Sequence, residues 1–77
     1  MIKVLLVDDH ELVRYGIRGL LEDSGSIKVI EQVGSGEEAI EAVRKRKPDV
    51  VLMDLNMPGI GGMEATRRIH QIGRAHV

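Results

Sequence analysis

Residues 50–62 read VVLMDLNMPGIGG, an apolar run that ends at Asp54 and leads into a loop with one proline and three glycines. A short run of β-branched and other apolar residues is typical of a strand that is buried on both faces of a sheet. The proline and the glycines indicate a loop whose backbone makes a specific bend. This stretch therefore predicts a buried strand that delivers one carboxylate to its carboxyl end.

Two other apolar runs precede this one and have the length of strands. Residues 3–7 read KVLLV, and residues 27–33 read IKVIEQV, in which apolar and polar residues partly alternate. Apolar residues at helical spacing lie between the runs, at about residues 10–23 and 36–47, and again after Gly62. The order β-α-β-α-β-α predicts an α/β fold with a parallel sheet and helices on both of its faces.

Residues with known preferences for helix ends mark the limits of these helices. Ser35 and Glu38 fit a capping box, in which each side chain satisfies an amide that the helix start leaves free. Gly25 suits the end of the first helix, and Pro48 stops the second helix after a run of cations. The first helix is predicted to carry one apolar stripe, formed by Leu12, Val13, Ile17, Leu20 and Leu21.

The composition of the 77 residues excludes several classes of function. There is no cysteine, so neither a disulfide framework nor a Cys/His metal cluster can form. The formal net charge is −1 and the aromatic residues amount to one tyrosine, so the sequence offers neither a basic field nor stacking platforms for nucleic acid. No apolar run approaches the roughly 18 residues of a membrane span. We therefore expect a cytoplasmic protein without a membrane contact.

Carboxylates follow two of the three predicted strands, at Asp8 and Asp9 after the first and at Asp54 after the third. Ligands of open parallel sheets bind beyond the carboxyl ends of the strands, where the strand order reverses. If the strand order is 2-1-3, as in a flavodoxin-like doubly wound sheet, the first and third strands are neighbours and these side chains meet at one edge. The alternative is an ordinary capping role for Asp8 and Asp9, because aspartate is favoured at helix starts.

An acidic site of this kind needs a compensating charge. Two unit charges 4 Å apart repel each other by about 4 kcal/mol at an effective dielectric constant of 20. Carboxylate oxygens suit Mg²⁺, which binds a few of them and keeps several waters. A carboxylate can also act as a nucleophile and become an aspartyl-phosphate, a reaction that requires mainly positioning and charge compensation. We therefore expect Mg²⁺ and phosphoryl chemistry at this edge.

Three motifs resemble, in order, the receiver domains of bacterial two-component response regulators. They read VDDH at residues 7–10, DVVLMD at residues 49–54 and NMPG at residues 56–59, with Gly62 after them. Each motif lies on the element where a receiver domain has it, and the resemblance covers about residues 1–70.

The resemblance implies a role for each residue of the acidic site. Asp54 is implied as the phosphoacceptor. Asp9 and the Asp54 carboxylate are implied as direct Mg²⁺ ligands, with the backbone carbonyl of Asn56 as a third. Asp8 is implied to act on the ion through water or in the outer coordination shell. The residues implied to shape the loop beside the acceptor are Pro58 and Gly59.

Two stretches also resemble the subgroup of regulators that carries LuxR-type DNA-binding output domains. They are DDHELVR at residues 8–14 and MDLNMPGIGG at residues 53–62, and together they are similar to regulators of the GacA and UvrY type. The resemblance implies a sensor histidine kinase as phosphoryl donor. It implies DNA contact only through an output domain that is missing from this chain. It also implies a phosphoacceptor switch rather than an enzyme, and it allows a homodimer of the full-length protein.

Receiver domains have five strands, and three are predicted here. The resemblance therefore implies that residues 1–70 are the N-terminal part of an incomplete receiver domain. Its Ser/Thr and Lys switch residues would lie in the absent half. The strand at residues 50–53 then becomes an exposed edge instead of a central strand.

The last seven residues are expected to be a non-native tail. The codons CAG ATC GGA AGA GCA CAC GTC encode residues 71–77 and match a common sequencing-adapter oligonucleotide. A gene truncated by read-through into the adapter would produce this ending. The alternative is a real continuation of the third helix, which Ala75 favours and Gly73 disfavours.

Two other classes of function stay open at this point. An aspartate-nucleophile phosphohydrolase has its nucleophile after the first strand and a second aspartate two residues later. Here Asp8 and Asp9 are adjacent, and His10 holds the next position. The second class is a phosphorylation-independent interaction module, which would not need the intact acidic set. His10 could act as a general base, but we interpret it as a solvated or capping residue at a helix start.

Overall fold

The computed structural model describes residues 1–73 and contains three strands that alternate with three helices. The elements are β1 (Ile2–Val7), α1 (Glu11–Glu22), β2 (Ile27–Val33), α2 (Gly36–Arg46), β3 (Val50–Met53) and α3 (Gly61–Ile72). The predicted β-α-β-α-β-α order is confirmed. Of the tail predicted at residues 71–77, the part from residue 74 onward lies outside the described residues. Gln71 and Ile72 belong to α3, and Gly73 caps it with a φ of 78°.

The three strands form one parallel sheet in the order β2-β1-β3. Val4 of β1 lies opposite Val29 of β2 and Val50 of β3, and the register with β2 shifts by one residue after Val4. The predicted order 2-1-3 is confirmed, and β3 is an edge strand of the described sheet. Since β1 is central, its carboxyl end adjoins the carboxyl end of β3.

The crossover connections place the helices on both faces of this sheet. The chain moves from β1 to β2 through α1, and then back across β1 to β3 through α2, so α1 and α2 lie on opposite faces. Alternate strand residues point to opposite faces. The α2 face is the well-packed one: Leu5, Val7 and Val51 of the sheet meet Val43 of α2 and Ile69 of α3, and all five are buried.

Helix α1 has the predicted apolar stripe, but the stripe is not buried. No residue of α1 is buried, and Leu12 and Leu20 are 86% and 79% exposed. The reason is that α1 contacts β2 and β1 and leaves the β3 side of its face uncovered, where Leu52 is 42% exposed. Hydrophobic periodicity correctly predicted the helix, whereas burial depends on a neighbour that the described residues do not supply.

Polar contacts hold both ends of α1 against the sheet. At the start, Arg14 Nη1 donates to the Asp8 carbonyl oxygen over 2.6 Å. At the end, the Val29 backbone N–H donates to Glu22 Oε2 over 3.0 Å. The second hydrogen bond, together with Arg18, lowers the pKa of Glu22.

The start of α2 follows half of the predicted capping box. Ser35 Oγ accepts the Glu38 N–H over 3.2 Å, as expected. The Glu38 carboxylate, however, accepts the Ser35 hydroxyl instead of the Ser35 backbone N–H. At the other end, Lys47 adopts the left-handed conformation with a φ of 49°, and Pro48 follows it.

Within residues 1–73, no helix is both long and apolar enough to cross a bilayer.

The unequal packing of the two faces predicts unequal effects of truncating leucines. Leu5→Ala empties a fully buried position and is expected to lower the free energy of unfolding by about 2–5 kcal/mol. Leu20→Ala removes an exposed side chain and should change it by no more than about 0.5 kcal/mol. Urea denaturation followed by far-UV circular dichroism compares the two variants. Equal losses of unfolding free energy in the two variants would contradict the finding that the apolar face of α1 is uncovered.

Candidate functional site

The hydrogen bonds of the sheet continue one residue beyond the strands and fix the backbone of the acidic residues. The Asp8 N–H donates to the Val33 carbonyl oxygen over 3.1 Å, and the Asp54 N–H donates to the Val7 carbonyl oxygen over 2.9 Å. Asp8 and Asp54 therefore lie at adjacent strand ends in a position set by the sheet itself. The strands β1 and β3 bring them together, as their place in the sequence predicts.

Four side chains converge at this edge. One ligand atom from each of Asp8, Asp9, His10 and Asp54 lies within 4.8 Å of the other three. The side chains of Asp8 and Asp9 are 13% and 29% exposed, so the carboxylates are partly sheltered. We call these four residues the acidic cluster. It contains the three carboxylates that sequence reasoning selected and one residue that it did not.

His10 is the member of the acidic cluster that sequence reasoning missed. Its Nδ1 lies 3.1 Å from Asp8 Oδ1 and 3.0 Å from Asp9 Oδ1. Its backbone N–H also donates to Asp8 Oδ1, over 2.8 Å. The hydrogen bond with Asp8 and the charge of Asp9 raise the pKa of His10. The imidazole is exposed, as expected, but it makes no capping hydrogen bond to α1. The sequence signal was its position directly after two aspartates.

The loop after β3 fixes the Asp54 carboxylate. The Asn56 N–H donates to Asp54 Oδ1 over 2.9 Å, a local turn that restricts rotation of the carboxylate. Met57 points inward and is buried in the core, whereas Pro58 is exposed. Gly59 has a φ of 82°, a conformation that favours glycine, and its Cα faces the Glu37 carboxylate of α2. The chain thus turns at Asn56, directly after Asp54, and then runs towards the core and α2.

Gly62 at the start of α3 packs directly against the backbone of Asp54. A Cβ atom at Gly62 would overlap the Asp54 carbonyl oxygen and would lie 2.6 Å from Leu55 Cα. Gly36 makes a similar approach from α2, because a Cβ there would lie 3.2 Å from the Gly61 carbonyl oxygen. Close backbone packing on this side determines where the peptide of Asp54 lies. The sequence showed these glycines, but their neighbours are set by the tertiary fold.

The donor set of the acidic cluster fits a hard divalent cation. Carboxylate oxygens are the ligands that Mg²⁺ prefers, and partial exposure leaves room for the waters that it keeps. Without a cation, three carboxylates at such distances repel one another, and His10 offsets part of that repulsion. The arrangement can therefore bind a cation and present one carboxylate, Asp54, beside it.

A family model described as the response regulator receiver domain matches residues 4–77. The chain belongs to the response regulator receiver domain family. Response regulator UvrY of Escherichia coli (strain K12) is 62% identical over 69 residues, which are 90% of this chain and 32% of UvrY. Response regulator GacA of Pseudomonas syringae pv. syringae (strain B728a) is 59% identical, with the same coverage of both chains.

The fold of this receiver domain also matches solved structures. A two-component response regulator of the LuxR family from Aurantimonas sp. SI85-9A1 superposes with a TM-score of 0.90 at 44% identity, over 95% of this chain and 53% of that one. The expected family, its LuxR-type subgroup and the flavodoxin-like strand order are confirmed. The chain spans about a third of the length of the curated relatives, and these relatives are named as signalling proteins rather than as enzymes.

Close packing at Gly62 predicts that a single methyl group there disturbs the receiver domain. Gly62→Ala is expected to lower the free energy of unfolding by about 1–3 kcal/mol, because the added atom must displace the Asp54 backbone. Gly16→Ala is the matched control, since a Cβ in that part of α1 meets nothing within 4 Å. It should raise the free energy of unfolding by about 0.5–1 kcal/mol. Urea denaturation measures the free energy of unfolding of both variants. A Gly62→Ala protein as stable as the wild type would contradict the close packing of Gly62 against the Asp54 backbone.

Proposed function

We propose that this receiver domain is a phosphorylation-controlled switch in which Asp54 accepts a phosphoryl group with Mg²⁺ bound at the acidic cluster. The observation that carries this proposal is the convergence of Asp8, Asp9 and Asp54 at the carboxyl edge of β1 and β3. Membership of the receiver-domain family supports it.

Each residue has a part in this reaction. Asp9 and Asp54 bind Mg²⁺ through their carboxylates, the Asn56 carbonyl is a further ligand, and Asp8 acts through water. The bound ion supplies positive charge that offsets the carboxylates and the incoming phosphoryl group. An Asp54 oxygen forms the new bond to phosphorus while the bond from phosphorus to the donor's leaving group breaks. The Asn56 N–H orients the Asp54 carboxylate for this attack.

The proposed donor is a sensor histidine kinase, and the proposed result is a shift of the receiver between two conformations. The output is transcriptional, with DNA bound through a separate output domain of the full-length protein, which acts in the cytoplasm and can dimerise. Support comes from relatives named as response regulators and from the LuxR family of the matched structure. Phosphotransfer onto its own Asp54 makes the protein a switch, not a turnover enzyme.

Labelling with radioactive acetyl phosphate tests the assignment of Asp54. We expect Mg²⁺-dependent labelling of the wild-type chain and at least a tenfold loss in Asp54→Asn, because the amide is not a nucleophile. Asp23→Asn is the matched control, since Asp23 is an exposed carboxylate at the end of α1 and should leave labelling unchanged. Undiminished labelling of Asp54→Asn would overturn the assignment.

A further inference from the structure

Arg14 reaches from α1 to the backbone that carries two carboxylates of the acidic cluster. Its Nη1 donates to the Asp8 carbonyl oxygen over 2.6 Å, in a partly buried position. This oxygen belongs to the peptide group that joins Asp8 to Asp9. A hydrogen bond from a charged donor is roughly twice as strong as one between neutral groups. The contact therefore acts on the one peptide whose rotation would reorient both side chains.

Two other hydrogen bonds hold Asp8, but neither of them contacts the peptide group that joins Asp8 to Asp9. The Asp8 N–H is held by the Val33 carbonyl oxygen of β2, and the Asp8 carboxylate is held by the His10 N–H. Arg14 supplies the remaining contact, on the carbonyl side. Asp8 is thus fixed at its N–H, its side chain and its carbonyl oxygen, from β2, from the helix start and from α1.

The guanidinium of Arg14 is partly buried. A Cβ at Gly34 would lie 3.3 Å from Arg14 Nη1 and 3.9 Å from the Asp8 carbonyl oxygen. The turn before α2 therefore packs over the guanidinium and the Asp8 peptide together. Arg14 Nε is buried and has no hydrogen-bond partner among the described residues. The hydrogen bond from Nη1 to the Asp8 carbonyl oxygen therefore fixes where the guanidinium lies.

We infer that Arg14 is a positioning residue for the cation at the acidic cluster. Through the Asp8 carbonyl it sets the plane of the peptide between Asp8 and Asp9, so that both carboxylates face Asp54. Its positive charge by itself disfavours a nearby cation, so the inferred gain in cation affinity comes from the orientation of this peptide. The inference rests on the proposed function, because the cation is the one that assists phosphorylation of Asp54. Groups that orient metal ligands in this way typically contribute 10–100-fold to metal affinity.

Cation binding by the full chain, measured without any phosphoryl donor, tests this role. Mn²⁺ serves as the probe because its free ion gives an electron paramagnetic resonance signal, and Mg²⁺ competition then gives the Mg²⁺ Kd. Arg14→Gln is expected to raise both Kd values at least tenfold. Arg14→Lys keeps the charge and one donor, so its Kd should fall between those of Arg14→Gln and the wild type.

Glu22→Ala is the control that separates positioning from simple attachment of α1. It removes the hydrogen bond with Val29 at the far end of the helix and touches no residue of the acidic cluster. Its cation Kd should stay within about twofold of the wild-type value, even where urea denaturation shows a loss of stability similar to that of Arg14→Gln. Equal weakening by Glu22→Ala and Arg14→Gln, or an unchanged Kd in Arg14→Gln, would overturn the inference.

The experiment also distinguishes this inference from the proposed function. If Arg14→Gln does not fold, the cation Kd of Arg14→Lys is compared with that of Arg18→Lys. Arg18 is an exposed arginine of the same helix and pairs with Glu22. Arg14→Lys must then bind the cation more weakly. A wild-type chain that binds neither ion overturns both ideas. Cation binding that depends on Arg14, combined with labelling that survives Asp54→Asn, overturns the phosphoacceptor alone.

Discussion

The hydrogen bond from the Asp54 N–H to the Val7 carbonyl oxygen joins the carboxyl ends of β3 and β1, and the acidic cluster depends on it. It extends the parallel ladder past the last residue of β3 and sets Asp54 beside the Asp8 backbone. Each pair of carboxylates held in this way repels by a few kcal/mol, about 4 kcal/mol at 4 Å and an effective dielectric constant of 20. The sheet and its buried face hold the carboxylates together against that repulsion, which a bound cation would relieve.

The packing of the two faces determines which parts of the cluster are held firmly. The strands β1 and β3 meet α2 and α3 through a buried core, with Leu5 and Ile69 fully inside it. Each such side chain contributes about 1.5–3 kcal/mol through burial. On the opposite face α1 buries no residue, so its position relies more on the contacts of Arg14 and Glu22. Asp54 thus belongs to the better-packed part of the receiver domain, and the loop of Asp9 belongs to the less packed part.

Much of the fold could be predicted because its signals are local. Strand-length apolar runs, the capping serine Ser35 and the cation-rich end before Pro48 predicted the elements and their order. The strand order came from resemblance to a known sheet, since nothing local encodes it. The exposure of Leu12 and Leu20 could not be predicted, because periodicity shows which face of a helix is apolar but not what covers it.

The candidate site divides in the same way. Asp8, Asp9 and Asp54 were predicted from their positions after strands, and the structure places them together. The contacts of His10 with two aspartates, of Arg14 with the Asp8 carbonyl, and of Gly62 with the Asp54 backbone were not predicted. The last two join residues six or more positions apart, so they depend on how the elements pack. The contact of His10 is local, but it depends on the side-chain rotamer.

A Mg²⁺ titration of the ¹⁵N-labelled chain, followed residue by residue through its backbone amide signals, tests whether one cation binds at the joined ends of β1 and β3. We expect saturable shifts that are confined to the two loops of the acidic cluster, residues 8–10 and 54–56. All of these signals should fit a single Kd, because one ion binds between the loops. Shifts at one loop alone, or equal shifts at other acidic positions such as Glu37 and Glu38, would contradict a single cation site at the joined ends of β1 and β3.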